Sequence, residues 1–579
     1  MVQGTETRLT GIGVSDGVAL ARARVRAPER ADGAHSAPAE PSVERARLEA
    51  AREAVRRELR AEAERAAQTV GEENARILLV QEAMLDDPLF FPEVLRRVEA
   101  DRLSAEAAVQ AVAEELAAQL AALDNAYLRE RAADVRDIAR RLVRILRGET
   151  DEVLGDAGEP VVLVVDDLLP SDATRLDPNR VHGVVARVGG KTSHAAILLR
   201  ALGIPAVFGV AEALEAIRDG DLVALDGTRG RCVVNPEPET LKAFEAKVAE
   251  ERRLEAEWEA MRDRPAQSRD GQRVTLEANI GTPAEVAAAL ASGAEGVGLF
   301  RTEFLFLESP DLPGEEAQYR AYREVVERMG GRPVTIRTLD VGGDKELPAL
   351  ALPKESNPFL GYRAIRLCLE RRELFETQLR AILRASAHGP VRILFPMISS
   401  FDEWRAAKAV YEDVRRRCEA EGIPVAADIP LGIMVEVPAA ALLADRFAEE
   451  VDFFSIGTND LVQYTVAVDR TNEKVAALYD PFHPAVVRLI AQVIEAAHRR
   501  GKPVGMCGGM AGEPLAAPLL LGLGLDEWSM EAGALRRIKL LLHRLDASEC
   551  RALAARVLAL GTAAEVRAAL EEFLQAAEG

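Results

Sequence analysis

The chain has 579 residues, with 94 Asp and Glu against 73 Lys and Arg, a formal net charge of −21 at pH 7. That length exceeds one compact core and predicts three or more folding units, while the acidic balance argues against a nucleic-acid partner. The five cysteines (232, 368, 418, 507, 550) show no CxxC pairing or metal-ligand spacing, and no basic segment leads into a membrane-length apolar run, so a reduced, cytoplasmic protein without membrane contact is expected.

In chain order, "RLTGIGVSDGVALARARV" alternates apolar and small residues around turn glycines, which predicts two short strands with a loop between them. A turn-rich linker, "DGAHSAPAEPS", follows. From about Val43 to Arg147 the chain is dominated by Ala, Glu, Arg and Leu at helical spacing, which predicts a helical hairpin or bundle. It lacks histidine and cysteine, so a structural role or a partner surface is expected there rather than chemistry. Short apolar strands return at "PVVLVVDDLLPSDA" and continue to "GDLVALDGTRGRCVVNP", giving a compact α/β unit. The early strands are expected to join that unit, because a two-stranded piece is not stable alone; the helices then form an insertion. The charged stretch from Glu239 to Arg264 predicts a linker helix. From Thr275 onward, eight strand-like stretches separated by helices ("TLEANI", "GVGLFRTE", "VTIRTLDVGG", "VRILFPMI", "LGIMVEVP", "FFSIGTND", "PVGMCGG", "LDEWSM") predict a (β/α)8 barrel.

Working residues of such barrels sit at the C-terminal ends of the strands, and there this sequence places Arg301 with Glu303, Arg337 with Asp340, Glu436, Asn459 with Asp460, and Cys507. Arginines at the ends of two neighbouring strands imply an anionic substrate, although each could instead pair with Glu303 or Asp340. Glu436 and Asp460 offer hard oxygen donors without a histidine cluster, which suits Mg²⁺ shared with substrate phosphate oxygens. Cys507 could give a proton to an enolate, or could be a small buried hydrophobe.

The stretch "GGKTSHAAI", Gly189 to Ile197, is not a nucleotide-binding P-loop, since the position five residues before Gly190 is Val185 rather than glycine. A glycine turn, two hydroxyl residues able to cap a helix, and His194 at the helix start instead suit a phosphohistidine. Backbone N–H groups, Lys191 and Thr192 could contact the phosphate.

Together "GGKTSHAAI", "GLFRTEFLF", "IRTLDVGGDKELP", "NPFLGYRAIR", "GIMVEVPAA", "FFSIGTNDLVQYTVAVDR" and "GMCGGMAG" resemble the Enzyme I family of the bacterial phosphotransferase system nearly end to end. The resemblance implies a swivelling phosphohistidine α/β domain (1–38 and 149–235), an inserted α-helical carrier-binding bundle (39–148), a linker helix (236–264), and a TIM barrel (265–579) that binds phosphoenolpyruvate and dimerises. It implies that His194 is phosphorylated through Nε2 and that Arg301, Arg337, Asn459, Asp460 and Arg470 bind phosphoenolpyruvate, with Arg363 and Lys345 lining the site. Glu436 and Asp460 would hold Mg²⁺ and Cys507 would protonate the enolate to pyruvate. The phosphoryl group would pass to the carrier HPr as the first step of sugar uptake. The chain departs from the family at Gly509, where Glu is usual, at Ala195, where Thr is frequent, and at "SDG", where "SPG" is usual. The alternatives are an enzyme of the phosphoenolpyruvate synthase or dikinase type, which needs a nucleotide-binding domain, and a regulatory phosphocarrier with an inactive barrel.

Overall fold

The structure, a computed structural model, describes residues 6–26, 39–70, 81–87, 89–121, 126–148, 159–190, 193–307, 312–342, 350, 355–472 and 474–578. Two compact units divide it, Met1–Ala256 and Glu257–Gly579. Among the described residues, no helix is long and apolar enough to cross a membrane.

The first unit holds an eight-stranded sheet formed by β1 (Thr7–Thr10), β2 (Ile12–Ser15), β3 (Val18–Arg26), β4 (Val161–Val165), β5 (Val181–Ala186), β6 (Ala206–Phe208), β7 (Leu222–Asp226) and β8 (Arg231–Val234). Its order is β1-β8-β7-β3-β4-β5-β6-β2, with β3 to β6 running parallel. The strand period of two is visible in β4: Val161, Leu163 and Val165 enter one apolar cluster, while Val162 and Val164 enter another. Residues 8 to 25 contain three strands, not the two expected. The break falls at Gly11, which alone separates β1 from β2 although these form opposite edges of the sheet. The sheet therefore curls until its edges meet, and a Cβ at Gly11 would lie 2.5 Å from the Phe208 carbonyl oxygen. Only tertiary pairing distinguishes the two strands, because the local pattern is continuous across the break.

Between β3 and β4 stand the helices α1 (Pro41–Val70), α2 (Phe91–Ala100), α3 (Ala105–Ala121) and α4 (Ala126–Arg147). Leu48, Val55, Leu59, Phe91, Val98, Val109, Ile138 and Leu142 give them a core of their own. A helix at Pro238–Met261 leaves the sheet, and the boundary between the two units falls within it.

The second unit is a closed barrel of eight parallel strands: β9 (Thr275–Ile280), β10 (Val297–Arg301), β11 (Val334–Arg337), β12 (Val391–Phe395), β13 (Leu431–Val435), β14 (Phe453–Ile456), β15 (Val504–Met506) and β16 (Glu527–Met530). Each of the eight expected stretches contains one of them. At the N-terminal end of the barrel, Arg392 lies between two carboxylates, 2.6 Å from Glu277 and 2.8 Å from Glu527. Higher up, Leu299, Leu394, Met434, Phe453 and Cys507 fill the interior. The packed floor leaves the C-terminal mouth as the end where strand-terminal side chains can meet a ligand.

Candidate active site

Arg301 and Arg337 are the last residues of β10 and β11 and are paired across the ladder. Arg337 is buried between two acids: Nη2 is 2.5 Å from Glu303 and Nη1 is 3.0 Å from Asp340. Burial works against its charge, but these carboxylates outweigh it and raise the pKa. The carboxylate pairing read as one option from the sequence is thus realised at Arg337. Arg301 is half-buried and donates to Glu531 at 2.9 Å. Glu531 follows β16 directly, so the strand-end rule that found the other residues would have found it too.

Asp340 connects Arg337 to Arg363, whose Nη2 stands 2.9 Å from Asp340 and 3.5 Å from Asp460. Arg363 Nη1 also donates to the Tyr464 hydroxyl at 3.2 Å. Asp460 and Asn459 sit in the first turn of the helix Thr458–Val466, immediately after β14. Asn459 Oδ1 accepts from the Gly509 N–H at 3.0 Å. A Cβ at Gly509 would make only ordinary contact with that amide, so the departure from the family at this position leaves space rather than relieving a clash. Arg470 lies 3.7 Å from Asp460, with its backbone N–H on Gln463.

Glu436 follows β13, is buried, and accepts from the Met397 N–H at 2.6 Å. Burial and the charges of Asp460 and Asp340 push its pKa up to about 8. Asp460 Oδ1 is buried without a hydrogen-bond partner. A buried carboxylate oxygen that accepts no hydrogen bond and meets Arg470 only at 3.7 Å, beside a carboxyl whose ionisation is disfavoured by its neighbours, fits a hard divalent cation, which would satisfy both. Among the described residues, no group of three or more His, Cys, Asp or Glu side chains could hold a metal by itself. The remaining donors would be substrate and water, the usual arrangement for Mg²⁺.

Cys507 follows β15 and is buried. Ser455 Oγ donates to its sulfur at 3.3 Å, and the Asn279 amide donates to its carbonyl at 3.0 Å. Burial raises the thiol pKa, against the pull of the Ser455 contact and the Arg337 charge. Sequence reasoning missed Ser455 and Asn279, since a Ser or Asn inside an apolar strand reads as ordinary barrel filling.

In the first unit, His194 opens the helix α5 (His194–Leu202). Ser193 is the N-cap, its Oγ accepting from the Ala196 N–H at 3.3 Å, and Gly203 ends the helix in the left-handed region. Gly189 has φ of +115°, and a Cβ there would meet the Phe208 ring at 2.7 Å, so the turn admits only glycine. The His194 side chain, Lys191, Thr192 and Lys345 lie outside the described residues.

Three family models match along the chain: the PEP-utilising enzyme N-terminal model at residues 10–131, the mobile-domain model at 157–230, and the PEP-binding-domain model at 255–547. Among curated relatives, the phosphoenolpyruvate-protein phosphotransferase of Geobacillus stearothermophilus is 48% identical over 562 residues, covering 97% of each chain. That of Enterococcus faecalis is 45% identical over 98% of this chain and 99% of its own, and that of Bacillus subtilis is 44% identical over 97% and 99%. With the barrel, the curled α/β sheet and the helical insertion in the same order, the chain belongs to the phosphoenolpyruvate-protein phosphotransferase family of PEP-utilising enzymes.

Proposed function

We propose that the chain takes the phosphoryl group of phosphoenolpyruvate onto His194, releases pyruvate, and passes the group to a histidine of an HPr-type carrier. The observation that carries this reading is one chain that combines a capped helix N-terminus at His194 with a barrel mouth where Arg301, Arg337, Arg363 and Arg470 surround buried carboxylates.

Phosphoenolpyruvate carries a carboxylate and a phosphate, and Arg301, Arg337, Arg470 and the Asn459 amide bind them, with Arg363 and Lys345 lining the site. Glu436 and Asp460 hold Mg²⁺, which supplies charge neutralisation at the phosphoryl oxygens. His194 Nε2 attacks phosphorus; the bond from phosphorus to the enol oxygen breaks, and its electron pair stays on the enolate. Little covalent work falls to the protein, so alignment and fixed positive charge do most of it. The enolate carbon C3 then takes the proton of the Cys507 thiol. Burial keeps that thiol protonated at neutral pH, and Ser455 stabilises the thiolate until water restores its proton. The domain limits 1–38, 39–148, 149–235, 236–264 and 265–579 are part of this reading, with the carrier docking on the helical insertion. A homodimer through the barrel is part of the same reading.

The test is pyruvate formation from phosphoenolpyruvate with Mg²⁺ and HPr, read by a coupled lactate dehydrogenase assay without nucleotide. Turnover that requires HPr and is lost in His194→Ala is expected. Turnover only with added nucleotide would favour the synthase or dikinase type instead.

A further inference from the structure

Two buried carboxylates join the helical insertion to the lobe that carries His194. Asp172 belongs to the sheet lobe, in the short helix Pro170–Ala173, and its side chain is 3% exposed. It receives both Nη atoms of Arg140 from α4, at 2.9 and 2.8 Å, and Arg26 from the end of β3 at 3.2 Å. Glu62 belongs to the insertion, on α1, and its side chain is also 3% exposed. It receives Arg141 from α4 at 2.6 Å and Arg175 from the sheet lobe at 2.9 Å. The arrangement is reciprocal: each carboxylate takes one arginine from its own side and one from the other, and the insertion's two arginines are adjacent in sequence.

The sheet-side half of this clamp is close to the histidine helix. Leu168, Ala173 and Leu176 share one apolar cluster with Ala195, Ala196, Leu198 and Leu199 of α5. The segment holding Asp172 and Arg175 is therefore packed against the helix that His194 opens. Burial disfavours the Asp172 charge, yet Arg140 and Arg26 hold its pKa below the ordinary value, so the Asp172 half of the clamp is ionic at neutral pH. Charges removed from solvent in this way are little screened by salt and are directional through the paired Arg140 contact.

We infer that Asp172 and Glu62, with Arg140, Arg141, Arg26 and Arg175, are positioning residues that hold His194 in register with the insertion for transfer to the carrier. The inference rests on the proposed function, in which the insertion docks the carrier. It separates the two half-reactions: a loosened clamp misplaces the donor phosphohistidine relative to a docked acceptor, but leaves every group that binds phosphoenolpyruvate untouched.

The experiment uses the full chain and reads the two steps separately. Labelled phosphoenolpyruvate with Mg²⁺ gives the single-turnover rate of His194 phosphorylation, and a chase with HPr gives the transfer rate. In Asp172→Asn and in Arg140→Gln, transfer should fall by about tenfold or more, the scale expected when a reacting group is misplaced by a fraction of an ångström to an ångström. Phosphorylation from phosphoenolpyruvate should stay within about twofold of the native rate, because alignment at the barrel is unchanged. Arg140→Lys should restore part of the transfer rate, which loss of packing alone would not predict. Arg175→Gln, which leaves Arg141 on Glu62, is the milder variant that remains informative if the others fail to fold. Native transfer rates in folded Arg140→Gln or Arg175→Gln would overturn the clamp while the proposed function stands. A native protein that takes no label from phosphoenolpyruvate would overturn the function and the clamp's role with it.

Discussion

Arg337 has two acids within 3.0 Å, Glu303 and Asp340, so its charge is held in place before any substrate arrives. A guanidinium fixed by a planar fork presents its remaining donors in one orientation, which a lysine cannot copy. Arg337→Lys should therefore lower kcat/KM for phosphoenolpyruvate by about 10² or more, the scale for losing one preorganised donor; a change within twofold would exclude it from the site. Cys507 makes a different prediction. Cys507→Ala should lower pyruvate formation by about 10²–10⁴ with little change in KM, since only the proton donor is removed. Burial raises its thiol above the ordinary 9.0, so a basic limb of kcat due to Cys507 should have its midpoint above pH 9. A basic limb at lower pH that disappears in the alanine variant would contradict that role.

At the scale of elements, the turn before α5 depends on Gly189, whose φ is +115°. Gly189→Val should reduce phosphorylation of His194 and lower stability, because the branched side chain meets both strain and Phe208. Ser193→Ala should cost about 1 kcal/mol through the lost cap. The barrel floor gives a pH prediction. Burial pushes the Glu277 pKa up, Arg392 pulls it back, and Glu527 pushes again, leaving it at about 7 against an ordinary 4.5. A carboxyl raised in the fold stabilises it fully below its unfolded pKa and loses that contribution as pH rises through the folded value. The Tm advantage of the native chain over Glu277→Gln should therefore shrink between pH 5 and pH 8, and a constant difference would contradict the assignment. Trp258, Trp404 and Trp528 all lie in the Glu257–Gly579 unit, so tryptophan fluorescence follows this unit selectively.

At the scale of the whole molecule, the barrel was legible in sequence because its strands are short, mainly apolar runs, several of them followed by a glycine or a charged residue, as β13 ends before Glu436 and β14 before Gly457. The strand-end rule likewise located Arg301, Arg337, Glu436 and Cys507. What the sequence did not reveal depends on tertiary partners: the division at Gly11, the pairing of Arg301 with Glu531, and the hydrogen bond from Ser455 to Cys507. The clamp was also invisible, since Arg140, Asp172 and Glu62 are ordinary helix or turn residues until the insertion folds back on the sheet. The proposed chemistry also draws on a divalent cation that Glu436 and Asp460 would hold. Removing Mg²⁺ with a chelator should abolish turnover without changing secondary structure, and Mg²⁺ should restore it; full activity in chelator would contradict the role of Glu436 and Asp460.

The central claim is that His194 itself carries the phosphoryl group. Incubating the protein with Mg²⁺ and phosphoenolpyruvate labelled in the phosphate, without nucleotide, and mapping acid-labile phosphate by peptide mass spectrometry tests it directly. The account predicts label on His194, none in folded His194→Ala, and its loss to added HPr. Label elsewhere, or none on a folded native chain, would contradict it.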